Sequence, residues 1–371
     1  MKKVVRIKDL FDKASSTLKQ RDAEGKEGKY PVYAASGVIG YLNTFEQSKE
    51  CIALVKDGSI GKVYLLPPKS SVIATIQYLL PKNGFNTSYL AYCLQSIDFS
   101  KYKQGAAIPH IYFKDYGQHL VTIDDSPEEQ DLIVQRINLS FQNIDKLKGQ
   151  AEKALQEAKQ MFLAVLDEVM TPSSDWDNAL LGKICVSLTD GDHLPPPKSD
   201  QGIPFITIGN IDKRLESISF EKTFFVPESY YLGLKEKRIP HKGEILYTVT
   251  GSFGIPILIK TDKKFCFQRH IALIKPKTDI VRSDFLYYWL KTSCMQKHAD
   301  KVATGAAQRT VSLKSLREFQ VRYPKNTKEQ DQIISRLDKL SSKVLELQLN
   351  YDKISSECDI LKSAILKDTF K

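Results

Sequence analysis

The sequence predicts an α+β protein in which two β-rich domains alternate with two long helices. The helices pair as an antiparallel coiled coil, and a pseudo-two-fold internal repeat relates the halves. Three observations carry this expectation. The stretch 126–170 reads as one uninterrupted helix, with Gly149 its only breaker after the first turn. Glu129-Gln130-Asp131 returns as Glu329-Gln330-Asp331, 200 residues on. At the same offset Gly105-Ala106-Ala107 returns as Gly305-Ala306-Ala307, so the repeat covers β segments as well as helices. A period this long means two copies of a domain with its helix, not a solenoid.

The first helix has its start signals in order: Ser126 as N-cap, Pro127 at the first helical position, and Glu129 placed to bond back to the cap. Ile137, Ser140, Ile144, Leu147, Ala151, Ala154, Ala158, Met161 and Val165 step by three and four, which predicts a heptad seam. About 43 residues would make a rod of roughly 65 Å. The second helix offers Leu337, Leu340, Val344, Leu347, Tyr351, Ile354, Cys358, Leu361 and Ile365 at the same register. The first seam is small in the middle and the second is large, so they would fill space against each other. Parallel pairing satisfies the same match; the two-fold pseudosymmetry is what selects antiparallel.

The expected domains are 1–125, a helical spacer at 126–170, a second domain at 171–325 and a C-terminal helical spacer at 326–371. In the first domain, 4–11 suggests a strand or short helix and 13–29 a polar loop. YPVYAASGVIGYL at 30–42 gives short strands, and CIALVKDGSIGKVYLL at 51–66 a hairpin turning at Asp57-Gly58. Residues 71–81 add a strand, 87–98 a short helix, and 119–123 the closing strand. The second domain runs through a related order. Pro204 in IPFITIGNI aligns with Pro31, and GSFG at 251–254 faces GSIG at 58–61. Residues 265–276 match 71–81, and 283–293 match the short helix. The loops differ most, and loops on a rigid scaffold are where recognition sits.

Composition narrows the classes. Apolar residues make up 42% of the 371, enough for two cores, and the net charge is +10. A basic balance favours a polyanion partner, although solvated lysine alone gives the same number. Mean hydropathy is −0.30, and the sequence predicts no membrane span. The basic N-terminus lacks the apolar core of a signal peptide, which points to a cytoplasmic protein. Six cysteines show no CxxC pairing and no histidine at ligand spacing, so reduced thiols are expected and zinc is not.

Motifs of catalysis fail together. There is no P-loop, since GSIGKV is too short, and no dinucleotide fingerprint, HExxH or GxSxG. Leu194-Pro195-Pro196-Pro197 lacks the acid and the aromatic residue of an amino-methyltransferase site. Asp190, Asp192 and His193 could bind a metal or act as acid and base, but an Asp-rich loop capping its own turn is the commoner arrangement. A non-catalytic binding protein is therefore expected, with no cofactor in this chain.

Taken together, SPEEQDLIVQRI at 126–137, NTKEQDQIISRL at 326–337, YPVYAASGVIGY, the GxxG hairpins and DGDHLPPPKSDQGIPFITIGNI resemble the specificity subunit of Type I restriction–modification systems. The resemblance covers essentially the whole chain and rests on the order and duplication of the segments. One departure is that the first domain lacks the tryptophan opening and the DGxH loop of the second, so the two would read different sequences. The resemblance implies two target recognition domains, each reading half of a bipartite site on double-stranded DNA. The helices would act as a ruler for the unread spacer. They would also dock two modification subunits, which carry S-adenosylmethionine and methylate adenine; restriction (translocase/endonuclease) subunits would join these.

Lysines would hold phosphates, and Arg, Gln, Asn and His on loops would read base edges. Candidates in the first domain are Lys62, Lys101, Lys103, Gln104 and His110. In the second they are His193, Asn210, Arg214, Arg269, His270, Gln308 and Arg309, with Arg269-His270 and Gln308-Arg309 the leading pairs. Competing readings are a coiled-coil scaffold without a DNA role, a specificity subunit of a related non-Type I enzyme, and a DNA-modifying enzyme with its own site. The scaffold leaves the charge and the divergent loops unexplained, and the enzyme needs a cofactor motif.

Overall fold

The computed structural model describes residues 2–82, 84–306 and 308–371. Ala307 of the repeated GAA segment lies outside them. The chain forms two compact units, one of residues up to Gln150 with Lys353–Lys371, the other of Ala151–Asp352. Each of the two 43-residue helices, Pro127–Val169 and Thr327–Thr369, contributes to both.

The two units share one strand plan. In the first, Phe11–Ser15, Ile76–Pro81, Cys51–Val55 and Val63–Leu66 make a four-stranded antiparallel sheet in that order. In the second, Cys185–Asp190, Ile271–Pro276, Ile245–Thr248 and Pro256–Leu258 repeat it. A three-stranded sheet accompanies each. Tyr30–Ala34 lies between Gly37–Leu42 and the parallel Ser71–Val72; Ile203–Ile206 lies between Phe224–Val226 and the parallel Cys266–Phe267. A two-stranded ribbon completes each unit, Lys2–Arg6 with Leu120–Asp124 and Asp177–Leu180 with Gln320–Tyr323.

Burial on both faces explains the largely apolar runs. All five residues of Cys51–Val55 and all six of Ile271–Pro276 are buried. Side chains alternate between faces. Ile52, Leu54 and Leu79 pack with the short helix Thr87–Gln95, while Cys51, Ala53, Val55 and Tyr78 pack with Val32 and Val72 of the smaller sheet. Ile245, Tyr247, Ala272 and Ile274 do the same with helix Ser283–Lys291 and with Phe162, Leu166 and Leu337 of the long helices. The polar 13–29 stretch, expected as loop, contributes the last three residues of strand Phe11–Ser15 and helix Gln20–Ala23.

Two expectations about the helices are corrected. Ser126 accepts the Glu129 N–H at 3.4 Å, but the carboxylate bonded to its hydroxyl is that of Glu128, at 2.7 Å. Asp124 already accepts the Ser126 backbone N–H at 3.0 Å, so the bond expected of Glu129 is pre-empted. The buried stripe also leaves the heptad seam. Leu147 and Met161 are 60% and 66% exposed, whereas Leu155, Phe162 and Leu166 are buried. Ile144, Leu155 and Leu166 are spaced by eleven residues, a repeat of about 3.67 residues per turn that a strict 3.5-residue seam drifts away from. Likewise Leu347 and Leu361 are 41% and 50% exposed, while Gln348 and Leu366 are buried.

Within the first unit, Lys148 donates to Asp359 at 3.2 Å and Lys362 to Asp145 at 2.6 Å. Within the second, Lys159 donates to Gln348 at 2.6 Å. The EQ pair has a structural function. Gln130 is fully buried; its side-chain oxygen accepts the Asn86 N–H at 2.8 Å and its amide donates to the Asp124 carbonyl at 2.9 Å. It joins the start of the long helix to the start of the short one.

Candidate nucleic-acid interface

Register places the same loops at one end of each large sheet. In the second unit Thr248 pairs with Ile271 and Asp190 with Ala272. The loops after Thr248, before Ile271 and after Asp190 therefore leave the sheet together. The GSFG turn holds Gly251 and Gly254 at φ +73° and +88°, a region open to glycine at little cost. Gly254 N–H donates to the Thr248 carbonyl at 2.9 Å. Arg309 and Thr310 strap this turn: Thr250 bridges to Thr310, and Gly251 N–H donates to the Arg309 carbonyl at 3.0 Å.

The first unit builds the same turn from GSIG. Gly58 and Gly61 take φ +77° and +83°, and Gly61 N–H donates to the Val55 carbonyl at 2.9 Å. The strap is there too, with Asp57 bridged to His110 and Gly58 N–H donating to the Pro109 carbonyl at 2.9 Å.

The backbone is repeated; the side chains on it are not. In the first unit His110 Nδ1 lies 2.7 Å from Asp57 Oδ1, and Gln104 donates to Asp115 at 2.9 Å. Lys62, just past the turn, donates to the Ala35 carbonyl at 3.0 Å. Lys101 and Lys103 are exposed, the first on the 3₁₀ turn Phe99–Tyr102 and the second immediately after it. In the second unit the Arg309 guanidinium lies 5.2 Å from the centroid of the Phe253 ring and donates to Asp300 at 2.6 Å. Gln308 is exposed beside Gly251. Arg269 is exposed, and its N–H donates to the Asp192 carbonyl at 3.2 Å. Burial, and then the Arg269 charge, hold the His270 imidazole below its ordinary pKa. His193 is exposed, 2.7 Å from Asp190.

Two predicted residues are not brought to this end. Asn210 is buried, and its carbonyl oxygen accepts from Thr207 N–H at 3.0 Å and from the Thr207 hydroxyl at 2.8 Å. Its amide donates to the Glu221 carbonyl at 3.3 Å, so the side chain is fully engaged in its own turn. Arg214 donates to both carboxylate oxygens of Asp352, at 2.9 and 3.0 Å, on the second long helix. Its neighbour Lys213 instead reaches the GSFG turn, donating to Ser252 at 2.5 Å. Lys213, Phe253 and Lys56 were missed in the sequence. Lys56 precedes the repeated turn and lies 3.4 Å from Asp57; adjacency to the GSxG signals could have flagged it and Phe253.

Among the described residues no cluster of His, Cys, Asp or Glu has the arrangement of a metal site. Burial pushes the Cys51, Cys93, Cys185 and Cys266 thiols up to about 12. No described helix is long and apolar enough to cross a membrane.

Two units of one plan, each presenting exposed polar and basic side chains from a strapped turn, are the architecture of a duplicated recognition protein. The chain belongs to the family of the Type I restriction modification DNA specificity domain, whose sequence pattern matches residues 1–156 and 174–351. It is 22% identical over 269 residues to the Type I restriction enzyme EcoBI specificity subunit of Escherichia coli, a match taking in 66% of this chain and 56% of that protein. It is 19% identical to the EcoDI specificity subunit of Escherichia coli, across 100% of this chain and 88% of that one. A chain from a structural study of complex assembly and conformational transition of the type I R-M system shares the fold. The TM-score is 0.67 at 15% identity, over 98% of this chain and 96% of that chain.

Proposed function

We propose that this chain is the DNA sequence-specificity subunit of a Type I restriction–modification complex, each unit reading one half of a bipartite asymmetric site. The observation that carries the reading is the repeated strapped turn dressed with different side chains: Asp57 with His110 in one unit, Phe253 with Arg309 in the other. A shared backbone with divergent polar groups is what two readers of different half-sites need, because base edges are told apart by the pattern of donors and acceptors offered to them. The excess of 54 Lys and Arg over 44 Asp and Glu supplies the sequence-blind attraction to phosphate.

The two long helices act as an antiparallel pair that sets the unread spacer. Lys148–Asp359 and Asp145–Lys362 support this direction, since residue number rises on one helix as it falls on the other. The helices also dock two modification subunits, and restriction (translocase/endonuclease) subunits join them. S-adenosylmethionine is held by the modification subunits; this chain is non-catalytic and works in the prokaryotic cytoplasm. In the first unit Lys62, Lys101 and Lys103 hold phosphate and Gln104 and His110 read base edges; in the second the readers are His193, Arg269, His270, Gln308 and Arg309.

Methylome sequencing tests this. A host expressing the chain with its modification subunit should carry a bipartite methylated motif that disappears when the chain is deleted. Unchanged methylation, with an active assembled methyltransferase, would overturn the reading.

A further inference from the structure

The second unit carries an insert that the first lacks. Residues 207–244 join Ile203–Ile206 to Ile245–Thr248, whereas residues 35–50 make the corresponding connection in the first unit. The insert holds a small hairpin, helix Glu228–Leu232 and turn Glu236–Arg238. It is anchored on the sheet. Lys275, buried in strand Ile271–Pro276, donates to the Ile239 carbonyl at 2.7 Å and pairs with Glu244 at 3.0 Å. The Thr189 hydroxyl donates to the Lys237 carbonyl at 3.0 Å.

Besides the Lys213 contact with the GSFG turn, the insert reaches the reading end at Asp192. The Arg238 guanidinium donates to Asp192 Oδ1 at 3.0 Å, and the Tyr230 hydroxyl donates to Asp192 Oδ2. Both carboxylate oxygens are engaged, and the Asp192 side chain is only 19% exposed. The Asp192 backbone is fixed as well: its N–H donates to the Phe267 carbonyl at 3.3 Å and its carbonyl accepts the Arg269 N–H at 3.2 Å. Next to it, a Cβ on Gly191 would fall 2.0 Å from the Phe267 carbonyl oxygen, so only glycine allows the two segments to lie this close. Asp192 is therefore the point where the loop carrying His193, the turn carrying Arg269 and His270, and the insert all meet.

We propose that Arg238 and Tyr230 are positioning residues that set the base-reading geometry of the second unit by clamping Asp192. The proposal rests on the reading of this end as a DNA surface. The clamp does two things there. It fixes the angle at which Arg269 and His193 leave the protein, and a reading side chain misplaced by an ångström loses its base contact. It also neutralises a carboxylate that would otherwise face phosphate and repel it. Burial and the bond to Asp192 raise the Tyr230 hydroxyl well above its ordinary pKa, which keeps it a donor. In the first unit the shorter connection 35–50 carries Glu46, which accepts from Ser16 at 2.9 Å and from Tyr78 at 2.6 Å, and the Arg238 and Tyr230 contacts belong to the second unit alone. Loss of the clamp should therefore touch one half-site only.

The test uses the full chain assembled with its modification subunits. Wild type, Arg238→Gln, Tyr230→Phe and Arg238→Lys are each offered duplexes randomised in both half-sites, at two salt concentrations, and the bound fraction is sequenced. Amide exchange is followed at 190–193 and 267–271. Arg238→Gln should lower preference at the second unit's half-site at least tenfold, leave the other half-site and the salt dependence unchanged, and speed exchange at those amides at least tenfold. Tyr230→Phe should act in the same direction, and Arg238→Lys should recover part of the loss.

Equal weakening on all sequences with a shallower salt slope would make Arg238 a phosphate contact and overturn the proposal. So would unchanged preference in a folded variant. Should Arg238→Gln fail to fold, Tyr230→Phe removes a single hydroxyl and still decides. A wild-type complex with no preference at either half-site would overturn the DNA reading itself, while the exchange rates would still judge the clamp.

Discussion

Gln330 Oε1 accepts the backbone N–H of Arg282 at 2.8 Å, tying the start of the second long helix to the start of helix Ser283–Lys291. Its amide donates to the carbonyls of Pro324 and Ile280 at 2.9 and 3.0 Å. Gln130 does the same for Asn86 and Asp124 in the first unit, and both glutamines are fully buried. Gln330→Leu would keep the volume and strand one N–H and two carbonyls in an apolar setting. Each stranded group costs about 1–3 kcal/mol. With three groups stranded, the second unit should lose at least about 3 kcal/mol, read as a lowered urea midpoint. An unchanged midpoint would show that water replaces the amide.

Gly149 offers the opposite case. It sits exposed in the first long helix, and a Cβ there meets nothing within 4 Å. Gly149→Ala should stabilise the chain by about 0.5–1 kcal/mol, the propensity difference in an exposed helix interior. A rise in the melting temperature checks it, with DNA binding unaltered.

Arg309 stacks on Phe253 at the strapped turn and is held there by Asp300. Arg309→Ala should relax one half-site at a cost of about 1–3 kcal/mol against the best sequence, with the other half-site unaltered. Uniform loss on every sequence in a randomised-duplex selection would assign the side chain to phosphate instead.

The depressed imidazole of His270 has a sign that can be worked through. Its folded pKa lies below the ordinary 6.5 through burial and the neighbouring Arg269, so the unfolded chain binds the proton more readily. The folded state is disfavoured as pH falls through 6.5 toward the folded value, and below that value no further loss accrues. His270→Gln should flatten the stability profile on the acid side of 6.5 relative to wild type, measured as urea midpoints at pH 5.5 and 8. Parallel profiles would mean that the ring is solvated in the folded state.

Inserting one heptad into each long helix should lengthen the spacer of the recognised site. The same spacer in a folded, active complex would remove the helices from spacer setting.

Much of this architecture was legible because the repeat exposes it twice. Pro31 against Pro204 and GSIG against GSFG marked corresponding strands and turns before any coordinate. The helix seam was misread because heptad spacing fits the apolar residues to Ile144, whereas burial then follows an eleven-residue spacing that leaves Leu147 outside and brings Leu155 and Leu166 in. Asn210 looked like a reader, but a short polar side chain in a turn bonds its own backbone first. The Asp192 clamp was invisible for a different reason. Tyr230 and Arg238 lie 38 and 46 residues from their partner, and no local pattern encodes such a contact.

The glutamine latches grip only main chain: the N–H of Asn86 or Arg282, the carbonyl of Asp124, Ile280 or Pro324. A peptide group is the same whatever residue bears it, and proline serves as acceptor as well as any other. The frame is therefore indifferent to the identity of what it fastens. Neighbouring positions can be rewritten wholesale while the fastening persists, so a change of side chains in one unit leaves the latch of the other untouched.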